Sequence, residues 1–257
     1  MYPKLFGIVD SYTVLLILGV ISAFVVLVLF LKNKQYKRNE IIDILICSVI
    51  AVVFGIVFAI LFQNIYDLVN YQSSYRWTWG MTFFGGVFGG VFAFIFAYNI
   101  YYKKNHESAI KDILLIAPGC LSLAHFFGRI GCFLDGCCYG KETSSPIGVI
   151  IPVLNDNIKR IPTQLIEAIF LLIISSILLV LAFKNLFKHT LVIYTGAYSI
   201  FRFVIEFYRG DYRGKFILGF SPSQIWCFIL LVMTPGMFIL LNQYIFKGGK
   251  KDEKFNS

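Results

Sequence analysis

Along the chain, apolar residues gather in long runs parted by short stretches that hold most of the charge. Seven such runs stand out, at 12–31, 41–65, 81–101, 112–126, 164–183, 191–207 and 225–246. A helix needs roughly 20 mostly apolar residues to cross about 30 Å of hydrocarbon, so each run predicts a transmembrane helix. Together they occupy over half of the 257 residues and leave no stretch for a separate soluble domain. The pattern predicts an all-α integral membrane protein with seven transmembrane helices. A single polytopic membrane domain covers 1–246, and a short basic tail covers 247–257.

Composition agrees: 58% of residues are hydrophobic and 14% charged, against about 25% charged in a soluble domain. This excludes a disordered chain, which needs low hydrophobicity, and a nucleic-acid binder, which concentrates its cations on one basic face. The net charge of +9 has a topological reading, because Lys and Arg in short loops stay on the cytoplasmic side. Lys32, Lys34, Lys37 and Arg38 follow the first run, Lys103, Lys104 and Lys111 the third, Lys184 and Lys188 the fifth, and Lys247, Lys250, Lys251 and Lys254 the last. The N-terminus is therefore expected outside and the C-terminus in the cytoplasm. The first run lacks a basic n-region and exceeds an h-region in length, so no cleavable leader is expected.

Topology leaves the outer cations unexplained: Lys4, Arg76, Arg129, Lys141, Lys159, Arg160, Arg202, Arg209, Arg213 and Lys215. Arg129 and Arg202 fall in or beside apolar runs. A charge at membrane depth costs about 2.5–3.5 kcal/mol on insertion scales and marks a functional position by default. Tyr198, Arg202, Glu206 and Arg209 recur at i, i+4, i+8 and i+11 and share one helix face. Two readings are open. The stripe is an ion-pair ladder that packs the bundle, or its surplus positive charge faces a cavity and grips an anion bidentately, a phospholipid headgroup being the most available.

The run His125-Phe-Phe-Gly-Arg-Ile-Gly-Cys-Phe-Leu-Asp-Gly-Cys-Cys-Tyr-Gly140 closes the fourth span with four glycines and three cysteines. The glycines are expected to break the helix and let backbone approach a ligand. Arg129 lies one turn beyond His125, so both can face the same cavity. A third cluster, with Gly85, Gly86, Gly89 and Gly90, reads as helix packing through Gly-xxx-Gly pairs. Cys47, Cys120 and Cys227 lie in apolar runs as small buried hydrophobes. Cys132, Cys137 and Cys138 fall on the outer side, where a disulfide or a reactive thiol are both open readings. With His125 they number four zinc-type ligands, but C-x4-C-C is not the usual knuckle spacing and no second pair is present. No metal and no cofactor are expected.

The run Gly128-Arg-Ile-Gly-Cys-Phe-Leu-Asp-Gly136 is similar to the Gly-Arg-x-Gly-Asn-Phe-x-Asn-Gly motif of prolipoprotein diacylglyceryl transferases. Ser11-Tyr12, Gly80-Met-Thr-Phe-Phe-Gly-Gly86, Pro162-Thr-Gln-Leu-Ile-Glu167 and Tyr198-Ser-Ile-Phe-Arg-Phe-Val-Ile-Glu-Phe-Tyr-Arg209 resemble further family blocks in the family's order, covering about residues 11–225. The resemblance implies a bacterial cell-membrane enzyme with its site on the extracytoplasmic side. Such an enzyme transfers diacylglyceryl from phosphatidylglycerol to the cysteine thiol of an exported lipoprotein precursor, forming a thioether and releasing glycerol phosphate. It implies further that Arg129 and Arg202 match the essential arginines, and that Tyr12, Tyr198, Glu206 and Gly140 match other functional positions.

Four positions depart from the family pattern. Phe84 stands where the family carries His ahead of its paired glycines, Cys132 and Asp135 stand where it carries Asn, and Cys137 replaces an acidic residue. The favoured expectation is a lipid-using transferase in which Arg129, Arg202 and Glu206 are catalytic, His125 replaces the missing base, and Tyr12, Cys132, Asp135, Gly140, Tyr198 and Arg209 bind substrate. His125 also has a plainer reading, as a helix-end residue bonded to backbone. Alternatives are an outer-face thiol enzyme using Cys137 or Cys138, and a non-catalytic phospholipid-binding or transport protein on the same scaffold. Expected partners are an anionic phospholipid, an exported acceptor and the membrane, with no nucleic acid.

Overall fold

A computed structural model describes residues 4–5, 9–71, 75–102, 109–211 and 219–246. The expected tail at 247–257 lies outside the described residues, as do Lys103, Lys104, Arg213 and Lys215. Among the described residues, seven helices are long and apolar enough to cross a membrane. They are built on α1 (Ser11–Asn33), α2 (Arg38–Tyr71), α3 (Phe83–Ala97, continued by the π-helical stretch Tyr98–Tyr102), α4 (Ala109–Asp135), α5 (Thr163–Phe183), α6 (Thr190–Ile205, continued by the 3-10 turn Glu206–Tyr208) and α7 (Pro222–Leu240). The chain is an all-α integral membrane protein, with 77% of the described residues helical. Its outward side chains are apolar, as lipid demands: Phe92, Phe96, Phe228 and Val232 are all more than half exposed.

Most helix ends fall close to the edges of the apolar runs, and α4 is the exception. Gly128 and Gly131 remain helical, contrary to the expectation that they break the helix, and α4 continues to Asp135. Gly136 ends it with φ of +80°, where its N–H and that of Cys137 both bond to the Cys132 carbonyl. This is the left-handed C-terminal cap that Gly supplies without a Cβ penalty. A glycine inside a helix costs about 1 kcal/mol relative to alanine, a tendency that tertiary packing overrides. At Gly131 the reason is visible, since a Cβ there would press on Tyr12 of α1.

The helices fall into two compact units. In the unit spanning Leu31–Ile110, α2 and α3 pack through small residues. A Cβ on Gly90 would sit 3.2 Å from the Ala51 carbonyl, one on Gly85 would sit 2.6 Å from the Phe62 Cβ, and one on Gly89 would collide with Phe58. The glycine cluster therefore serves close packing, as its spacing suggested. Phe84 lies on α3 in this unit. Asn64 of α2 clamps the preceding segment: its Nδ2 donates to the Thr78 carbonyl at 2.8 Å, and its Oδ1 accepts from the Thr78 N–H and the Tyr75 hydroxyl at 2.9 Å.

The other unit holds α1 up to Phe30 together with α4 from Lys111, α5, α6 and α7. Two hydroxyls tie α4 to α5, from Ser122 to the Leu171 carbonyl and from Ser175 to the Gly119 carbonyl, each 3.0 Å. The Thr190 hydroxyl at the start of α6 donates to the Leu115 carbonyl at 2.8 Å, and Phe170 stacks on Phe201 at 4.0 Å between ring centres. Gly19 brings α1 against α4, where a Cβ would stand 2.8 Å from the Ala124 carbonyl. Between α4 and α5 lies a loop with an antiparallel hairpin, in which Val149 pairs with Arg160 and Ile150 with Lys159.

The α2–α3 contact generates a stability test. Gly89→Val should lower thermal stability in detergent by about 1–3 kcal/mol, the usual range for overpacking. Adding Phe58→Ala should restore part of the loss. Two independent, additive losses would contradict the contact.

Candidate functional site

One buried carboxylate organises the larger unit. Glu167, in the second turn of α5, has no solvent exposure. Its Oε1 lies 3.0 Å from Arg129 Nη2, 4.0 Å from His125 Nε2 and 3.1 Å from the Tyr198 hydroxyl that donates to it, while its Oε2 lies 3.7 Å from Arg202 Nη1. Arg202 also pairs with Glu206 at 2.7 Å. His125 and Arg129 come from α4, Glu167 from α5, and Tyr198 and Arg202 from α6, so three helices meet on one acid. Tyr198 meets the His125 ring edge-on at 5.5 Å and stacks on Tyr194 at 5.7 Å.

The polar stripe of α6 is present but changes character along its length. Tyr198 and Arg202 are helical, Glu206 opens a 3-10 turn that ends at Tyr208, and Arg209 follows in extended backbone. All four are buried. Arg209 is held bidentately by Asp211, with Nε–Oδ1 and Nη2–Oδ2 both 2.7 Å. The surplus of positive charge inferred from the stripe is corrected by Glu167 and Asp211, which bring three carboxylates to three guanidiniums. Both acids were missed as site residues. Glu167 had a legible signal, being the one ionisable residue in the apolar run 164–183.

Charge balance does not satisfy every donor. Arg129 Nε, Arg202 Nη1 and Arg209 Nη1 are buried and lack a hydrogen-bond partner among the described residues. The 3.7 Å from Arg202 Nη1 to Glu167 suits an ion pair and is too long for a hydrogen bond. Buried donors are ordinarily paired, and each orphan calls for an explanation.

The first turn of α5 also orders the loop after α4. Gln164 Nε2 donates to the Cys137 carbonyl at 2.6 Å, and the Thr163 hydroxyl to the Cys138 carbonyl at 2.9 Å. Gly140 runs between two backbone segments: its N–H bonds to the Ile161 carbonyl, and a Cβ would stand 2.6 Å from that oxygen and 2.8 Å from the Tyr208 carbonyl. It also bridges to Arg209, so any larger residue at 140 would push the Arg209 segment away. Nearby, Tyr139, Gly140, Lys141, Glu142, Arg160 and Gly210 line a cavity of about 240 Å³. Arg160 holds Asp156 bidentately at 2.7 and 2.8 Å, which keeps that carboxyl below its ordinary value.

Cys132, Cys137 and Cys138 carry free thiols whose sulfurs lie within 4.8 Å of one another. Hydrogen bonds from Cys132 and Cys137, helped by the guanidiniums of Arg209 and Arg129, hold the Cys138 thiol well below its ordinary value. Cys137, bonded to both neighbours, is pushed up. His125 stands with Glu167, in a separate group from this cluster. Tyr12 packs on Gly131. Asp135 is the last residue of α4 and joins no ion pair among the described residues. Cys47, Cys120 and Cys227 are buried, as expected of small hydrophobes.

The sequence profile of the family described as prolipoprotein diacylglyceryl transferase matches residues 4–240. A stretch of 152 residues, 58% of this chain, is 41% identical to "Phosphatidylglycerol--prolipoprotein diacylglyceryl transferase 2" of Clostridium perfringens, covering 57% of that protein. The transferase of the same name, without the number, from Clostridium tetani is 36% identical over 54% of this chain and 56% of its own length. That of Helicobacter pylori is 33% identical over 59% of this chain and 54% of its own. The matched stretch thus spans little more than half the length of these relatives. The profile reaches further, taking in all seven helices and every residue of the Glu167 centre, and on that extent the chain belongs to the prolipoprotein diacylglyceryl transferase family.

Proposed function

We propose that this chain takes the diacylglyceryl group of phosphatidylglycerol and transfers it to the cysteine thiol of an exported lipoprotein precursor, on the extracytoplasmic side of a bacterial membrane. The observation that carries this reading is the set of orphaned, buried guanidinium N–H groups on Arg129 and Arg202, which share the Glu167 carboxylate, and on Arg209, which Asp211 holds. With local charge balanced, attraction for a phosphate comes from directed donors rather than from net positive charge. A phosphodiester offers two unesterified oxygens, and the planar guanidinium fork suits them.

The reaction displaces a phosphate from a glyceryl carbon. Negative charge grows on the leaving oxygen, and donors already in place stabilise it without reorganisation. Glu167 acts as a positioning residue, since its two oxygens fix Arg129 and Arg202 relative to each other. The thiol must also lose its proton, and His125 is the titratable group that α4 places at this centre in the absence of a histidine at position 84. The distribution of Lys and Arg among the loops supports a centre that faces outside.

With radiolabelled phosphatidylglycerol and a lipoprotein-precursor peptide, the purified protein should release glycerol phosphate and lipidate the peptide. Arg129→Ala and Arg202→Ala should each lower turnover by about 10²-fold or more, and Lys should not substitute at either position, because it lacks the fork. Bound lipid without any product would instead identify a non-catalytic phospholipid-binding protein. His125→Gln should lower kcat by about 10²-fold while leaving the KM for lipid unchanged; full turnover would remove it as the base. Glu167→Ala should cost about 3–5 kcal/mol of stability in detergent, because two buried guanidiniums lose their partner. Alkaline phosphatase fused after residue 156 should be active, and a green fluorescent protein fused after residue 188 should fluoresce; the reverse pattern would invert the topology.

A further inference from the structure

The three converging cysteines take no part in the phosphate chemistry above, yet the backbone is arranged to bring them together. Cys132 lies in the last turn of α4, Gly136 reverses the chain, and Cys138 holds a left-handed φ of +65°. A non-glycine residue in that region costs of order 1–3 kcal/mol and persists only where its surroundings fix it. Here the carbonyls of Cys137 and Cys138 are fixed by Gln164 and Thr163. Cys132 is buried and the other two are half-buried, so the cluster is reachable from one side.

A disulfide would use two of the three sulfurs, whereas a metal ion uses all of them. In a tetrahedral zinc site with Zn–S near 2.3 Å, neighbouring sulfurs lie about 3.8 Å apart. Sulfurs already within 4.8 Å of one another need close by no more than about 1 Å to reach that spacing. Thiolates are soft donors that select zinc, copper(I) or iron–sulfur clusters. The number of ligands is informative as well. Structural zinc takes four protein ligands, and catalytic zinc takes three and keeps a position open for a reactant.

We propose that Cys132, Cys137 and Cys138 form a three-thiolate site for a thiophilic divalent cation, zinc by ligand type, whose fourth position receives the acceptor's thiol. The inference rests on the diacylglyceryl-transfer reading and supplies what that reading lacks. An ordinary thiol has a pKa near 8.5, so at neutral pH only a few per cent of a free acceptor is thiolate. A metal-coordinated thiol is deprotonated outright, which removes that deficit.

The cation displaces the three cysteine protons when it binds. The acceptor thiol then takes the fourth position and gives up its proton to water. Its sulfur attacks the glyceryl carbon, and the bond from that carbon to the phosphate oxygen breaks with its electron pair going to the oxygen. Glycerol phosphate leaves with one more negative charge, and the neutral thioether, a weak ligand, dissociates from the metal. No electron is gained or lost overall. Arg129 and Cys132 are three residues apart on α4, which sets a phosphate donor and the first sulfur on one helix face. Arg129 and Arg209, which both act electrostatically on Cys138, oppose the net negative charge of a metal bound by four thiolates.

Cobalt(II) added to the reduced, detergent-purified full chain provides the test. One cobalt per chain should bind, with a thiolate charge-transfer band in the near ultraviolet and tetrahedral d–d bands in the visible. Cys138→Ser and Cys132→Ser should each lose the charge-transfer band, while Cys120→Ser keeps it. A precursor peptide bearing the acceptor cysteine should shift the d–d bands, and its serine counterpart should not. Absence of a thiolate band in the folded wild type, or its persistence in both Cys138→Ser and Cys132→Ser, would overturn the site. Full transfer by chelator-treated wild type, with metal analysis showing none bound, would overturn its role in the reaction. A peptide-induced shift with no diacylglyceryl transfer would uphold the metal site and overturn the transfer reading alone.

Discussion

A charge inside a membrane is tolerated when an opposite charge meets it at the same depth, and Glu167 is where that condition is satisfied. Each isolated charge would cost about 2.5–3.5 kcal/mol on insertion scales. Arg129 and Arg202 both reach Glu167, and Arg202 adds Glu206. The four groups sum to zero, so α4, α5 and α6 can each carry a charged residue only by bringing it to the others. This electrostatic constraint fixes how the three helices register, and the hydroxyl-to-carbonyl bonds of Ser122, Ser175 and Thr190 accompany it. Breaking a buried pair leaves an uncompensated charge, so the register is not easily changed.

The same constraint underlies the proposed chemistry. A guanidinium has five N–H donors, and two carboxylates shared between two guanidiniums cannot occupy all of them. The donors left over on Arg129 and Arg202 belong to groups that Glu167 has already immobilised, and Arg209, held by Asp211, adds another. Donors fixed in advance stabilise developing charge better than mobile ones. Helix α5 thus has two tasks in its first turns: Glu167 sets the arginines, and Thr163 with Gln164 sets the cysteine loop.

Much of this was legible in the residues. The spans followed from apolar run length, Arg129 and Arg202 from their cost at depth, and the α2–α3 packing from glycines at one-turn spacing. Glu167 was harder to see, because a lone acid in an apolar run reveals its partners only once three helices are folded together. The surplus charge inferred from Arg202, Glu206 and Arg209 failed for the same reason, since the balancing acids lie on another helix and past the end of α6. The glycines of 125–140 misled as to where α4 ends: Gly128 and Gly131 stay helical, and Gly136 alone among them takes a positive φ. The convergence of three thiols was not readable, because it depends on a left-handed Cys138 that no sequence rule anticipates for a cysteine.

In the proposed function, the Glu167 centre holds its arginines ready for a lipid phosphate. An experimental density map of the protein purified with phosphatidylglycerol tests it most directly. A phosphate is expected within hydrogen-bond distance of Arg129 Nε and Arg202 Nη1, with Glu167 still bridging both guanidiniums. A closed ion-pair cluster with the lipid headgroup bound elsewhere would contradict it.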